Sequence, residues 1–156
     1  MLHEFEEIIG FKTWVIKDGL WIAKKYPKVA KQISIYERLS VPAFALAVLE
    51  EFILIGIVTA LALTLQWYSV WIAVFLGFSL HIFIHIGQWM MVRKYIPIII
   101  TSLLSLPYIF WGTHKIFSEF SLSMIITCFV IGTIVLIVNL RFVHKLALRY
   151  DKIRKK

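Results

Sequence analysis

The sequence predicts an all-α integral membrane protein: a four-helix transmembrane bundle preceded by an amphipathic interfacial N-terminal segment. Composition gives the first reason. Of the 156 residues, 60% are hydrophobic and 17% charged, whereas soluble domains average about 45–50% and about 25%. Size gives the second, because a soluble fold of 18.2 kDa buries too small a fraction of its surface to hide so much apolar area. The third is patterning. The apolar residues fall in four runs, each near the roughly 20 residues that cross a bilayer's hydrocarbon core.

Residues 1–40 mix apolar side chains with seven Lys/Arg, and Gly19 and Pro27 punctuate them. Phe5, Ile8, Ile9, Trp14 and Ile16 alternate with charges, which predicts one or two amphipathic helices on the inner leaflet, with Trp14 and Trp21 at headgroup level. The segment is too aromatic for a disordered basic tail. The transmembrane region, 41–143, divides into spans over about 42–65, 67–92, 96–117 and 120–142. Pro42 suits the first turn of its helix, and Pro107 predicts a kink in the third. Thr101, Ser102 and Ser105 are placed to satisfy the backbone groups that Pro107 frees. Residues 144–156 form a basic cytoplasmic tail.

Charge sets the orientation. Lys and Arg number seven before the first span, none after it, two after the second (Arg93, Lys94), one after the third (Lys115), and seven from Arg141 onward. With both termini inside, 16 of the 17 positive charges face the cytoplasm, as the positive-inside rule requires. The net charge of +8 therefore reads as headgroup contact and topology, not as a nucleic-acid surface. Membrane lipids are the expected partners. Cys128 is the only cysteine, which excludes an intramolecular disulfide. The N-terminus shows no short apolar core followed by a cleavage site, so a removable signal peptide is not expected.

Within this frame several ionisable residues stand where lipid makes them costly. Glu50 and Glu51 interrupt the first span. His81 and His85 interrupt the second, four residues apart and so on one helical face. Glu50 lies eight residues from Pro42, and His85 eight from Arg93, so both clusters sit about 12 Å in from the cytoplasmic end. A third cluster, His3-Glu4-Phe5-Glu6-Glu7, lies in the N-terminal segment, where His3 can share a face with Glu6 and Glu7. If that segment dips toward the other two, imidazoles and carboxylates converge. Such a mixture suits a divalent metal such as zinc, iron or manganese. On this reading His3, Glu6, Glu50, His81 and His85 are metal ligands, Glu7 and Glu51 are catalytic acids or bases, and Gln88 and Asn139 orient the ligands. The division of roles among the four glutamates stays open, as do two other readings: a polar packing network without metal, and a proton or ion path. His114 and His144 read as interfacial or solvated.

From His3-Glu4-Phe5-Glu6-Glu7 onward the chain resembles the HXXEE-domain proteins, bacterial membrane proteins named for that motif. The resemblance continues through Phe44-Ala45-Leu46-Ala47-Val48, Leu80 to Ile86, and Lys94 to Thr101, ending near Leu106-Pro107-Tyr108. It covers roughly residues 2–110. It departs from the family pattern at Ile98, where a glycine is usual, and His3 is nearly terminal here, where many members carry an apolar stretch first. The resemblance implies a bacterial cytoplasmic membrane and a shared role for His3, Glu6, Glu7, His81 and His85, but no settled activity.

Three functions follow. The first is a metal-dependent enzyme, a hydrolase or, with iron, an oxidoreductase, acting on a lipid or lipid-linked substrate at the cytoplasmic leaflet. The second is a small proton- or metal-coupled transporter, for which four spans require a homo-oligomer. The third is a non-catalytic interaction or immunity-type protein. The sequence has no phosphate-binding glycine loop and no Cys pair, so nucleotide hydrolysis and thiol redox chemistry have no support.

Overall fold

Residues 2–154 are described by a computed structural model, and among them every regular element is helical. Residues 155 and 156, the end of the expected basic tail, lie outside the described residues. The N-terminal segment is a nearly unbroken helical run: α1 (Leu2–Glu6), a π-helical turn (Glu7–Phe11) and α2 (Lys12–Lys25). Pro27 ends it, since proline cannot continue a helix. A 3-10 turn (Pro27–Val29) then leads into α3 (Ala30–Arg38).

The helix α4 (Val41–Leu65) begins at Ser40, whose hydroxyl accepts from Ala43 N at 3.3 Å, a serine N-cap followed by proline in the first turn. It stops at Gln66, where φ is 55°. Then come α5 (Tyr68–Val92), closed by Arg93 at φ 56°, and α6 (Ile99–Glu119). Left-handed residues at these two ends turn the chain sharply, as helix C-caps do. The last helix, α7 (Leu122–Arg154), is 33 residues long.

Two contacts define how the helices run. Asp151 near the end of α7 accepts from Ser40 N at 2.7 Å and from the Ser40 hydroxyl. Near the start of α7, the Cys128 thiol lies 3.5 Å from the Ser69 carbonyl at the start of α5. Thus α5 and α7 run the same way, and α4 runs against them. The helix α6 returns beside α5, passing Ser102 near His3 and ending with Ile116 packed on Ile72 and Ile125. Up, down, up and down is the result.

Three of these helices, α4, α5 and α7, are long and apolar enough to cross a membrane. The expected third span, α6, is not among them. It carries Thr101, Ser102, Ser105, Pro107, His114 and Lys115 along its length, and each polar group lowers its mean hydropathy.

The structure corrects three further expectations. The last helix does not end near residue 142. Val143, Ala147 and Asp151 recur every four residues on a buried face, where Val143 and Ala147 pack against Leu39, Ala43 and Ala47, so the expected tail continues the helix. Trp14 does not stand free on the segment's surface but is partly buried. It packs beside Ile22, Val92, Ile96 and Ile98, while Trp21 is exposed beneath the ammonium groups of Lys25 and Lys94. The α6 hydroxyls do not serve the gap at Pro107: Ser105 donates to Thr101 O and Ser102 to Ile98 O, while Thr101 turns to the N-terminal segment.

The helices α5 and α7 meet at small residues. A Cβ on Gly132 would stand 2.0 Å from the Ala73 carbonyl oxygen, and one on Gly77 3.0 Å from that of Gly132. Small residues let membrane helices approach closely enough for backbone-to-backbone packing. Gly132→Ala should therefore destabilise the bundle by about 1–3 kcal/mol, the usual cost of overpacking. Gly56→Ala, where a Cβ meets nothing within 4 Å, should be near neutral. Thermal unfolding in detergent measures both.

Candidate metal centre

The centre forms because the N-terminal helix is pinned to the start of α6. Glu6 is the pin. Its carboxylate accepts the Thr101 backbone N–H at 2.9 Å, the Thr101 hydroxyl, and the Tyr95 hydroxyl at 3.2 Å. The backbone amide belongs to the first turn of α6, where donors lack helical partners and a carboxylate is favoured. Four residues later the chain packs against the α5–α6 connection. A Cβ at Gly10 would lie 2.4 Å from the Pro97 side chain, so only glycine permits this approach. Farther along, Lys94 pairs with Asp18 at 3.1 Å and Tyr26 donates to Met91 O at 2.8 Å.

So pinned, α1 and the π-helical turn deliver His3 and Glu7 to the face of α5 that carries His81 and His85. One ligand atom from each of these four residues lies within 4.8 Å of all the others. The His85 Nε2 is 3.2 Å from Glu7 Oε1 and 2.9 Å from His81 Nε2, and His3 Nε2 is 3.9 Å from Glu7 Oε1. The π-helical turn begins at Glu7 itself; such turns recur at functional sites because they re-aim side chains.

The surrounding hydrogen bonds fix where the protons are. The Thr101 hydroxyl gives its proton to Glu6, so its oxygen accepts from His3 Nδ1–H at 3.2 Å. His85 Nδ1–H donates to Gln88 Oε1 at 3.0 Å. With the rings neutral, both then turn an unprotonated Nε2 toward Glu7. The His3 Nε2 is fully buried and has no hydrogen-bond partner, a costly state for a polar atom. Bare nitrogens and a carboxylate oxygen facing one another repel unless a positive charge sits between them.

A divalent ion meets that requirement. His3, Glu7, His81 and His85 would hold it, three imidazoles and a carboxylate being a common ligand set for such ions. Metal ligands must also be deprotonated. Burial holds the His3 imidazole down at about 4, despite the opposing charge of Glu7. Burial alone would raise Glu7, but when the facing imidazoles carry their protons, the hydrogen bond from His85 and their charges hold it below the ordinary carboxylate value.

The residues named from the sequence thus divide. His3, His81 and His85 come together, and Glu7 joins them directly. Glu6 stays outside the group as the pin. Glu50 also stays outside: it faces α7 and accepts from Asn139 Nδ2 at 3.2 Å, so Asn139 serves Glu50 and not the histidines. Gln88 touches a centre residue, as expected of an orienting group. Glu51 lines the same cavity as Glu7, His81 and His85.

Sequence reasoning passed over Glu4, Thr101 and His144. Glu4 is buried beside Glu51 and His81. Burial first, then the charges of Glu7 and Glu51, pushes its carboxyl up to about 8. It stands inside the HxxEE motif, yet three acids in four residues give no sign of which one turns inward. His144, expected to be solvated, bonds the Tyr36 hydroxyl at 3.0 Å across the cavity. That cavity, about 520 Å³, opens between α3, α4, α5 and α7.

A family model described as a protein of unknown function with an HXXEE motif matches residues 1–112. No curated protein and no solved structure matches the chain. The matched region contains all four residues of the cluster, the Glu6 pin and Thr101, and ends before α7.

Gly10→Ala should push the N-terminal helix off Pro97 and loosen the centre. Hydrogen exchange would show faster exchange in residues 2–11 with α5 and α7 still protected. Unchanged protection at residues 2–11 would contradict the close approach.

Proposed function

The chain belongs to the HXXEE-motif family, and on that premise we propose that it is a membrane metalloenzyme acting on a lipid or lipid-linked substrate at the cytoplasmic leaflet. The observation that carries the proposal is the convergence of His3 Nε2, His85 Nε2 and His81 Nε2 on the Glu7 carboxylate, with His3 Nε2 buried and without a hydrogen-bond partner. His3, Glu7, His81 and His85 would hold the ion. Zinc, iron and manganese all accept three nitrogens and a carboxylate, and the identity of the ion decides between hydrolysis and oxidation.

When bound, the metal supplies an acidified water or a redox centre. The chain supplies the rest. Glu51 lines the cavity without belonging to the four-residue cluster, so it is the residue free to take or return a proton. Gln88 and Thr101 hold two of the imidazoles in one tautomer, as ligand-orienting groups do. The apolar walls limit water around the reacting atoms.

The membrane setting follows from the same reading. We take α6 as a fourth span, because it runs the length of α5 and turns Leu103, Leu104, Phe110 and Trp111 outward. Both termini are then cytoplasmic by the positive-inside rule. Leu2, Phe5, Ile9, Ile16 and Leu20 form an exposed stripe at helical spacing on the N-terminal segment, which suits a helix lying in the inner leaflet.

Elemental analysis of the purified protein tests the proposal. The wild type should carry a stoichiometric transition metal, lost in Glu7→Gln and in His81→Ala/His85→Ala and kept in Glu50→Gln. Glu6→Gln or Thr101→Ala should weaken metal affinity by roughly 10–100-fold, as removing orienting partners does. A metal-free wild type that binds none on addition would return the cluster to a packing role.

A further inference from the structure

We propose that the substrate is an anionic membrane lipid, bound with its phosphoryl head against Arg141 and Lys145 and its chain in a slot between α4, α5 and α7. This rests on the metalloenzyme reading for its chemistry but on different residues for its binding. Arg141 and Lys145 are four apart on α7, so they share a face. Both line the 520 Å³ cavity, and neither makes an ion pair among the described residues. Glu7, His81 and His85 line the same cavity. The acids that line the cavity do not neutralise the cations: Glu7 faces the histidines, and no ion pair joins Glu4 or Glu51 to them.

A second, narrower space of about 80 Å³ begins where the first one ends. It shares Glu4, Glu51, His81, Leu136 and Leu140 with the larger cavity, and its far walls are Ile55, Val74, Phe78 and Val135. Read along α7, the order is apolar slot (Gly132 to Leu136), reactive centre (Leu136 to Leu140), then cations (Arg141 to Lys145). At 1.5 Å per residue the series spans about 20 Å. An amphiphile laid along it would put its head on the cations, its chain in the slot, and its bonds near the head beside the centre. Unpaired cations select an anionic head over a zwitterionic one, because arginine and lysine make charge-assisted hydrogen bonds to phosphoryl oxygens. Both head-binding residues lie beyond residue 112, outside the family match, so the lipid preference belongs to a part of the chain separate from the metal centre.

Native mass spectrometry of the full chain in a neutral detergent tests this, with phosphatidylglycerol, phosphatidylcholine and inorganic phosphate as probes and metal content measured on each sample. The wild type should retain phosphatidylglycerol in preference to phosphatidylcholine. Arg141→Gln/Lys145→Gln should weaken that retention by about tenfold or more, given the strength of such bonds, and keep its metal. Lys24→Gln/Lys28→Gln, on the outer surface, should leave it unchanged. Inorganic phosphate should not compete at millimolar levels, because it has no chain for the slot. Equal retention of both lipids, retention unaffected by the α7 pair, equal losses from the surface pair, or displacement by free phosphate would each overturn the proposal. A metal-free protein with the predicted lipid preference would defeat the enzyme reading alone, and a metal-loaded protein without the preference would defeat this one alone.

Discussion

The centre depends on one carboxylate that is not part of it. Glu6 holds the first turn of α6 through the Thr101 amide and hydroxyl, and that grip decides where everything N-terminal to the π-turn lies. With Glu6 fixed, His3 and Glu7 project from the same short helix onto α5. The Thr101 hydroxyl also sets the tautomer of His3. One small polar network therefore anchors the segment and prepares the ligand. The close approach of Gly10 to Pro97 completes the fit without side-chain bulk in the way.

Packing and chemistry are separated along the chain. The close contact of α5 with α7 through Ala73, Gly77 and Gly132 lies toward the end away from the charged N-terminal segment. It builds a rigid frame from backbone proximity. The histidines sit in the other half of α5, where α4 and α7 leave room for a cavity. Asp151 closes the arrangement by tying the far end of α7 to Ser40. A buried carboxylate in that position must accept strong hydrogen bonds to repay its desolvation, and Ser40 offers both its amide and its hydroxyl.

The four glutamates Glu4, Glu7, Glu50 and Glu51 have unequal fates for electrostatic reasons. Glu7 gains three imidazoles as neighbours. Glu50 is one residue from Glu51 and hence about 100° around the helix, so only one of the two can face the centre; Glu50 meets Asn139 of α7 instead. Glu4 and Glu51 lie close to each other and to Glu7, and such like charges in a buried space favour one protonated partner.

By itself the sequence determined the helical class, the bounds of α4 and α5 to within about a residue, and the shared face of His81 and His85; the arrival of His3 beside them it left conditional. Length, apolar runs and the spacing of four between histidines carry that information, because each is a local property of a helix in lipid. It did not determine which of Glu4, Glu6 and Glu7 turns inward, since adjacent positions on a helix differ only by rotation about an axis that the neighbours fix. Nor could it show that α7 continues past residue 142, because its last turns are held by a buried face matched to Leu39 and Ala43. The tautomers of His3 and His85, the role of Thr101, and the cavity walled by α7 arise from groups far apart in the chain, 98 residues for His3 and Thr101 and 108 for Tyr36 and His144. Only the folded chain brings those groups within hydrogen-bonding reach, and hydrogen bonds act over about 3 Å.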